Sequence, residues 1–575
     1  MRKQTKVVAV ASAAALLAIG ASMTSFAATG WVEEDGQWYF YDKDGNRVED
    51  EWKKSGDNWY WLDSEEGGAM AVDKLVEDDD NTYYVDGNGV MVTNTWVKVV
   101  NEDQDDDDDP AEYHYYYMQS NGKAYKGDGT SVSKKTIDGK RYAFDEDGVM
   151  LYGWVTESGT MANGEDEWSA SDVMYYFGGW EDGSMKTGWQ KITVHDNEDG
   201  KDDDYDYWFN FKSNGHRRAH ANADDTWKSN NRYYHFDERG VMVYQWFETA
   251  TTNSASASNW AYFSSPEDGA RVTKGWFKVV APTEDNSFLE SDVTFAKKDS
   301  DDESERWYYS DSKDNGLVVG EIKKIKGKYY GFWPDDGQKG GRMLVGLCAL
   351  QMNEADGSKI DKVIVDDMDS DDLDDFMDTY GTKSQEETGI YLYYFGDGED
   401  GSMKTGSVSL NLDGDSYQFQ FKKTGAADSR GRGVNGVDDG KYIYKYGQKV
   451  KADTDDKYTL VYANGNINDS NVVVEDFDNS DIKGIAKAFD LAAKKGSDED
   501  NLRGYYGFGT AQEGWYLVNT SGRIQTGTKS GTKDGYDMYW FMYKDNIKFY
   551  ADDKNISDYD ELKGDGWHSY FDNLK

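Results

Sequence analysis

Pairs of tryptophans seven residues apart are the residues of this chain whose type and spacing could do chemistry. Trp31 and Trp38 form one such pair, Trp52 and Trp59 the next, and the first tryptophan of a pair commonly follows a glycine. The faces of aromatic rings carry negative electrostatic potential, so neighbouring rings attract organic cations. The same rings can equally pack one repeat against the next, and for any single tryptophan both interpretations stay open.

The elements that would position these rings recur at intervals of about twenty to thirty residues. Each interval holds an aromatic cluster such as 38–41, a turn such as 42–45, and often a methionine shortly after the turn, as at Met91. Asp, Asn and Gly tolerate positive φ, so these turns are expected to close β-hairpins. Because one hairpin is barely stable alone, the pattern predicts an all-β fold, a solenoid of stacked β-hairpin repeats.

Two kinds of segment interrupt the repeats. Acidic stretches at 101–110, 196–206 and 283–305 predict solvated loop inserts. Apolar residues at helical spacing, each series ending at a glycine, predict one or two short helices in the carboxy-terminal half, over Ser370–Tyr380 and over 481–495.

The formal charge of −47 and the single cysteine argue against several classes of function. An acidic surface without a basic stripe repels phosphate, which disfavours nucleic acid as a partner. Cys348 stands between Leu347 and Ala349, so we expect a packed side chain and not a nucleophile. His216 and His220 lie beside a turn without an evident third ligand, so neither a metal site nor a cofactor is expected. No motif with catalytic mechanics is present, and we expect a protein that is not an enzyme.

The first 27 residues have the composition of a signal peptide. Arg2, Lys3 and Lys6 precede an apolar run over 7–19, and the small residues around Ala27 suit cleavage after that position. The run is short for a membrane span, and no later segment is apolar enough for one. We therefore expect a secreted protein without a sorting signal for covalent attachment, so that any attachment to the cell surface is non-covalent.

The Gly-Trp step, the aromatic cluster and the Asp-x-x-Gly turn resemble the cell-wall-binding repeats of Gram-positive choline-binding proteins. Related repeats occur in the glucan-binding regions of glucansucrases and in clostridial toxins. The resemblance is strong up to about Met343 and implies a repeat solenoid of the choline-binding type over 28–345. It further implies a degenerate or inserted segment with a short helix over 346–389 and a degenerate repeat region over 390–575.

In that family a choline headgroup lies in an aromatic cage shared by consecutive hairpins. The cage combines two tryptophans seven residues apart with an aromatic ring of the next repeat. The resemblance thereby implies two sets of ligand-binding residues, namely Trp31, Trp38 and Tyr60, and Trp52, Trp59 and Tyr84. The implied partner is choline-bearing teichoic acid or another cell-wall polymer, and the implied location is the cell wall.

The pattern weakens along the chain. Leu75 takes the place of one repeat tryptophan, and after Trp276 the equivalent positions hold other residues. A long insert separates Trp276 from Trp307, and another separates Trp154 from Tyr175. We therefore expect ligand sites near the amino terminus and a mainly structural role further on. The alternatives are a repeat protein or adhesin that binds glucan or host carbohydrate, and a cell-wall hydrolase.

Overall fold

The computed structural model describes residues 29–569, which form two compact units. Unit 1 holds the described residues up to Tyr244 together with Ser265–Ala270, and unit 2 holds Gln245–Ser264 together with the described residues from Arg271 onwards. The description omits residues 103, 105–110, 198–200, 223–224, 250–259, 282–304, 312–315, 336–339, 426–428, 478–480, 483–504, 509–512 and 557–561. The predicted signal peptide lies outside the described residues, and the domain boundaries predicted at 345 and 389 stay predictions.

Unit 1 is a series of antiparallel hairpins. Strands β1–β5 form one sheet in the order β1-β2-β5-β4-β3, and the later strands pair with their neighbours in sequence. The strands are β1 (Gly30–Glu34), β2 (Gln37–Tyr41), β3 (Glu51–Ser55), β4 (Asn58–Asp63), β5 (Ala69–Met70), β6 (Lys74–Asp78), β7 (Asn81–Val85), β8 (Thr95–Val100), β9 (Tyr113–Met118), β10 (Lys135–Ile137), β11 (Lys140–Tyr142), β12 (Trp154–Thr156), β13 (Val173–Tyr176), β14 (Gly188–Asp196), β15 (Asp203–Phe211), β16 (Trp227–Ser229) and β17 (Arg232–Tyr234).

Unit 2 continues with hairpins and adds larger sheets. Its multi-stranded sheets have the orders β20-β21-β22, β26-β25-β27, β28-β29-β32-β31-β30, β34-β33-β36 and β35-β39-β38-β37. The strands are β18 (Trp246–Glu248), β19 (Trp260–Tyr262), β20 (Gly275–Val279), β21 (Arg306–Asp311), β22 (Gly316–Leu317), β23 (Ile322–Ile325), β24 (Lys328–Gly331), β25 (Leu347–Met352), β26 (Ile360–Val365), β27 (Ile390–Tyr394), β28 (Gly406–Leu412), β29 (Asp415–Phe421), β30 (Gly436–Asp438), β31 (Tyr442–Lys445), β32 (Gln448–Lys449), β33 (Tyr458–Ala463), β34 (Val474–Phe477), β35 (Tyr505–Gly507), β36 (Trp515–Asn519), β37 (Lys529–Lys533), β38 (Tyr539–Tyr543) and β39 (Asn546–Ala551).

One of the two short α-helices lies where the apolar spacing predicted it. Helix α1 (Ser370–Tyr380) has the predicted bounds, begins with a capping box between Asp369 and Asp372, and buries Leu373 and Phe376. A second helix, α2 (Gln385–Thr388), follows it. Of the helix predicted at 481–495, only the first two residues are described, and both are helical. The predicted all-β fold of hairpin repeats with short helices in the carboxy-terminal half is confirmed. Among the described residues, 3₁₀ helices also lie at Ser64–Glu66, Glu167–Ser169 and Gly566–His568.

The hairpin loops are tighter than the Asp-x-x-Gly pattern predicts. Strands β1 and β2 are joined by Asp35 and Gly36 alone, with φ of 51° and 85°. Two successive positive φ values match the right-handed twist of a hairpin. The Asp-x-x-Gly segments lie after the hairpin instead. Asp86 begins one of them, and this turn returns the chain to a bridge between Val85 and Met91.

Where a methionine follows a return turn, it joins consecutive repeats. The backbone N–H of Met91 donates to the carbonyl of Trp59 at 2.9 Å, and that of Met343 donates to Trp307 at 2.8 Å. The recurrent methionine thus marks the position where one repeat is hydrogen-bonded to the hairpin before it.

One acidic segment differs from the prediction. Both ends of the solvated loop expected over 196–206 belong to strands instead: Asp196 ends β14, and residues 203–206 begin β15. Asp196 is buried, because its carboxylate pairs with the Arg239 guanidinium at 2.8 Å and accepts a hydrogen bond from the Tyr207 hydroxyl at 2.6 Å. A buried carboxylate with such partners belongs to the core and not to a solvated insert.

Close approach of consecutive repeats predicts a stability difference between two glycines. A Cβ atom added at Gly127 would lie 2.3 Å from the backbone oxygen of Phe144, whereas one added at Gly87 would meet open space. Neither residue has a positive φ. Gly127→Ala should therefore destabilise unit 1 by about 1–3 kcal/mol, and Gly87→Ala should be neutral or slightly stabilising. Urea unfolding measures both, and equal effects would contradict this account of the packing.

Candidate ligand sites between consecutive hairpins

The first predicted group of rings comes together on one hairpin face. Trp31 pairs with Phe40 and Glu33 with Trp38, so the two tryptophans are diagonal neighbours on the same face. Tyr60 of the next hairpin reaches this face, with its ring centroid 5.3 Å from that of Trp31. Trp31, Trp38 and Tyr60 are all half-buried, so their rings remain partly open to solvent. We call these three residues set 1, and their role as ligand-binding residues stays a prediction.

The second group contains a different tyrosine from the predicted one. Trp52 lies 5.0 Å from Tyr83, while Tyr84 faces the opposite side and donates its hydroxyl hydrogen to Asp73. Adjacent residues of a strand point to opposite faces, so only one of the two tyrosines can contact Trp52. Trp59 is the most exposed ring of this group, with 40% of its surface accessible to solvent. Set 2 is therefore Trp52, Trp59 and Tyr83.

A carboxylate contacts the first tryptophan of set 2. The Trp52 indole N–H donates to Asp78 at 3.1 Å. Burial raises the pKa of Tyr83, and the charges of Asp78 and Asp79 add to this rise. Tyr83 is therefore a neutral phenol at physiological pH.

The third group lies in the long hairpin of unit 1. Trp189 and Trp208 are again diagonal neighbours, with ring centroids 6.3 Å apart and planes at 85°. Tyr234 of the next hairpin lies 5.0 Å from Trp189, at 64°. The two tryptophans are half-buried and Tyr234 is buried. These residues form set 3.

The fourth group repeats this geometry in unit 2. Trp276 and Trp307 lie 6.3 Å apart with their planes at 90°, and Tyr330 lies 4.8 Å from Trp276, at 65°. All three rings are half-buried, and they form set 4. The expectation that the long insert weakens this site stays a prediction. Trp276 pairs with Tyr309 in the same register as in the shorter repeats, because the insert joins the far ends of the two strands.

Tryptophans at the same sequence position are closed in two other repeats. Trp154 is 6% exposed, because Trp168 from the insert covers it and Phe209 of the next hairpin lies 5.0 Å away. Trp246 is 2% exposed and lies 5.0 Å from Tyr308. These indoles are core residues. The insert after Trp154 thus covers the indole with Trp168, which agrees with the expectation that this insert weakens a ligand site.

The other residues considered from the sequence are engaged in packing. His216 shares a hydrogen bond with the Tyr175 hydroxyl at 2.6 Å, and His220 accepts one from the backbone of Phe236 at 3.1 Å. Cys348 is fully buried, and burial raises its thiol pKa. Within the described part of the chain, no cluster of three His, Cys, Asp or Glu residues is arranged to hold a metal, and no helix could cross a membrane.

Comparison with known families identifies the amino-terminal repeats. Residues 28–74 match the choline-binding repeat, and these residues include all of set 1 and both tryptophans of set 2. These amino-terminal residues are therefore similar to the choline-binding repeat. The chain matches none of the curated proteins.

Several solved structures from Streptococcus pneumoniae are similar to parts of the chain. The modular autolysin LytC is 16% identical over 58% of this chain and 57% of its own, with a TM-score of 0.27. The choline-binding domain of CbpL is 22% identical over 42% of this chain and 97% of its own, with a TM-score of 0.25. Choline binding protein F is 16% identical over 74% of this chain and 100% of its own, with a TM-score of 0.22. The chain thus spans just over half the length of LytC. We infer nothing about ligands from similarities with such low TM-scores.

Proposed function

We propose that this protein binds choline-type quaternary ammonium groups on teichoic acid or a similar wall polymer, and so attaches non-covalently to the cell envelope. The observation that carries the proposal is the recurrence of one ring arrangement. Sets 3 and 4 lie in different units, yet their ring distances agree within 0.2 Å: 6.3 and 5.0 Å in set 3, 6.3 and 4.8 Å in set 4. Packing alone does not require rings to stay half exposed, and the closed Trp154 and Trp246 demonstrate this.

The chemistry of the sets suits a methylated cation. A quaternary ammonium group has no N–H to donate, so ring faces and not hydrogen-bond acceptors must hold it. Side-chain cations already lie over rings that contact the first tryptophans of sets 1 and 3. The Arg218 guanidinium is 4.1 Å from the Trp227 ring centroid, and the Lys53 ammonium is 5.3 Å from that of Phe40.

Several weak sites on one chain would give firm attachment. Three ring contacts provide about 3–5 kcal/mol, which corresponds to roughly millimolar affinity for one site. A polymer that carries many choline groups engages several sets at once, and the effective concentration of the second group then raises the overall affinity by about 100-fold or more. Attachment by avidity needs no catalytic residue, and we propose a non-catalytic role as an adhesin or scaffold.

Choline titration of the full-length protein tests the proposal. Tryptophan fluorescence should change with saturation at roughly millimolar choline. Free choline should also elute the protein from a quaternary-amine resin, whereas soluble glucan should not. Elution by glucan would favour the carbohydrate-binding alternative, and release of muropeptides from purified cell walls would show a hydrolase. Absence of any choline response would overturn the proposal.

A further inference from the structure

One charged residue occupies the same place at the edge of every set. It follows the first tryptophan by two positions and lies directly across the hairpin from the second. These pairs are Glu33 with Trp38, Lys54 with Trp59, Lys191 with Trp208 and Lys278 with Trp307. Directly opposite residues of an antiparallel pair have Cβ atoms about 5 Å apart. We call this residue the rim residue, because its charge is held beside the ring that a ligand would touch.

The rim charge differs between sets 1 and 2. In set 1 it is the carboxylate of Glu33, which is exposed. In set 2 it is the ammonium of Lys54, whose Nζ lies 5.9 Å from the centroid of the Trp59 ring. Among the described residues Lys54 has no ion-pair partner. Beside the second tryptophan, a cation therefore meets a like charge in set 2 and an opposite charge in set 1. The Asp78 carboxylate lies at the first tryptophan of set 2, where it accepts the Trp52 indole hydrogen bond at 3.1 Å.

In set 3 the rim lysine is neutralised. The Lys191 ammonium is 2.9 Å from a carboxylate oxygen of Glu267, and the other oxygen of Glu267 accepts a hydrogen bond from the Trp208 indole at 3.0 Å. The hydrogen bond with Lys191, together with that from Trp208, holds the pKa of Glu267 below its usual range. The pair is thus ionised at neutral pH, and the carboxylate lies against the ring of the set.

Set 4 has the same arrangement. The Lys278 ammonium lies 2.7 Å from Glu399 and 5.9 Å from the centroid of the Trp307 ring. The hydrogen bond from Lys278 lowers the pKa of Glu399, and the same bond raises the pKa of Lys278. Both units therefore place a glutamate at the rim of a Trp-Trp-Tyr set whose rim residue is lysine.

The two glutamates are held by equivalent turns. Each is followed by Asp and Gly, and the glycines, Gly269 and Gly401, have φ of 57° and 54°. The aspartates bind a cation at the tip of an adjacent hairpin: Asp268 pairs with Arg232, and Asp400 with Lys328. A turn anchored in this way positions its glutamate before any ligand arrives, which reduces the entropy lost on binding.

We propose that the rim charge sets the preference of each set for cationic over neutral ligands, and that Glu267 and Glu399 are the residues that permit sets 3 and 4 to accept a cation despite their rim lysines. This inference rests on the proposed choline binding. By the rim charge alone, set 1 has the strongest preference for a cation, sets 3 and 4 an intermediate one, and set 2 the weakest. Asp78 beside Trp52 and Lys53 beside Phe40 reduce the difference between sets 1 and 2. The glutamates act through the lysines and are specificity-determining residues, since the rings supply most of the contact.

The test isolates set 4 in the full-length chain. Trp38→Ala, Trp59→Ala and Trp208→Ala leave set 4 as the complete open set, and this parent is titrated with choline and with its neutral isostere 3,3-dimethyl-1-butanol by ligand-observed NMR. Glu399→Gln keeps the size of the side chain and removes its charge. It should weaken choline binding about three- to tenfold, because the Lys278 ammonium then has no partner and lies 5.9 Å from the centroid of the Trp307 ring. The effect is limited because the site is solvated. Binding of the uncharged isostere should stay the same.

Two further variants complete the cycle. Adding Lys278→Gln to Glu399→Gln should restore choline affinity, because the repulsive charge is gone. Lys54→Gln, in a chain where set 2 is the open set, should strengthen choline binding about threefold. If Glu399→Gln changes neither ligand, or changes both equally, the rim inference is overturned while choline binding stands. If the parent binds no choline while the unchanged protein does, set 4 is not a site and the rim inference is overturned. If the unchanged protein shows no choline response, the proposed function fails as well.

Discussion

Alanine at the second tryptophan of all four open sets should release the protein from a choline-bearing surface. The first tryptophans pack against tyrosines of the next hairpin, and their removal would disturb the fold. The second tryptophans are safer targets, because in the described structure neither Trp38 nor Trp59 stacks on another ring. Losing one ring from every set weakens each site and, through lost avidity, the whole attachment. We expect about 100-fold weaker retention or more. The four substitutions are Trp38→Ala, Trp59→Ala, Trp208→Ala and Trp307→Ala.

Retention on a quaternary-amine resin and the choline concentration required for elution measure this effect. The matched control replaces four half-buried tyrosines outside the sets, and it should elute as the unchanged protein does. Both proteins are compared by circular dichroism, so that loss of folding is recognised. Equal retention of the tryptophan variant and the unchanged protein would show that the sets are packing elements. The control substitutions are Tyr113→Ala, Tyr205→Ala, Tyr233→Ala and Tyr442→Ala.

Trp154→Ala, in contrast, should greatly lower the stability of the protein and leave the number of choline sites unchanged. Trp154 occupies the same sequence position as Trp189, yet it packs against Tyr176 and Phe209 with centroids 5.0 Å away in both cases. Truncation leaves a cavity of indole size, which costs about 3–5 kcal/mol. The buried Arg217, 5.7 Å from the indole, also loses its ring contact.

Calorimetry should show the unfolding transition of unit 1 at a lower temperature, and a choline titration below that temperature should give the original number of sites. The companion variant Trp189→Ala should reduce the number of sites by one and lower the stability less. If Trp154→Ala removes a choline site instead, the closed position assigned to this indole is wrong.

Helix α1 shows what local sequence can predict. Its bounds were predicted to the residue from the helical spacing of the apolar residues over Ser370–Tyr380 and from Gly381 beyond them. The structure adds a capping box between Asp369 and Asp372 at its start. All of these determinants lie within a few residues of one another. The recurrence of the hairpins was predictable for the same reason, since each loop needs only adjacent residues that tolerate positive φ.

The choice between Tyr83 and Tyr84 could not be made from the sequence. Both are tyrosines in one strand, and a shift of one residue in register exchanges the two faces. The register that places Tyr83 against Trp52 is a property of the stacked hairpins. Asp196 gives a second case. Its acidic neighbours indicate a loop, but Arg239, far along the chain, supplies the charge that permits burial.

The sequence by itself determined that the chain forms ring-bearing hairpins and that each repeat places two aromatic residues on one face. Only the tertiary structure decided which of those faces stay open. Trp154 is covered and Trp189 is not, although the local patterns agree, because exposure depends on segments distant in sequence such as the one that carries Trp168. The charge beside an open face was decided in the same way, by Glu267 and Glu399 from remote turns. Burial and electrostatics depend on what surrounds a residue in space, and adjacent residues do not contain that information.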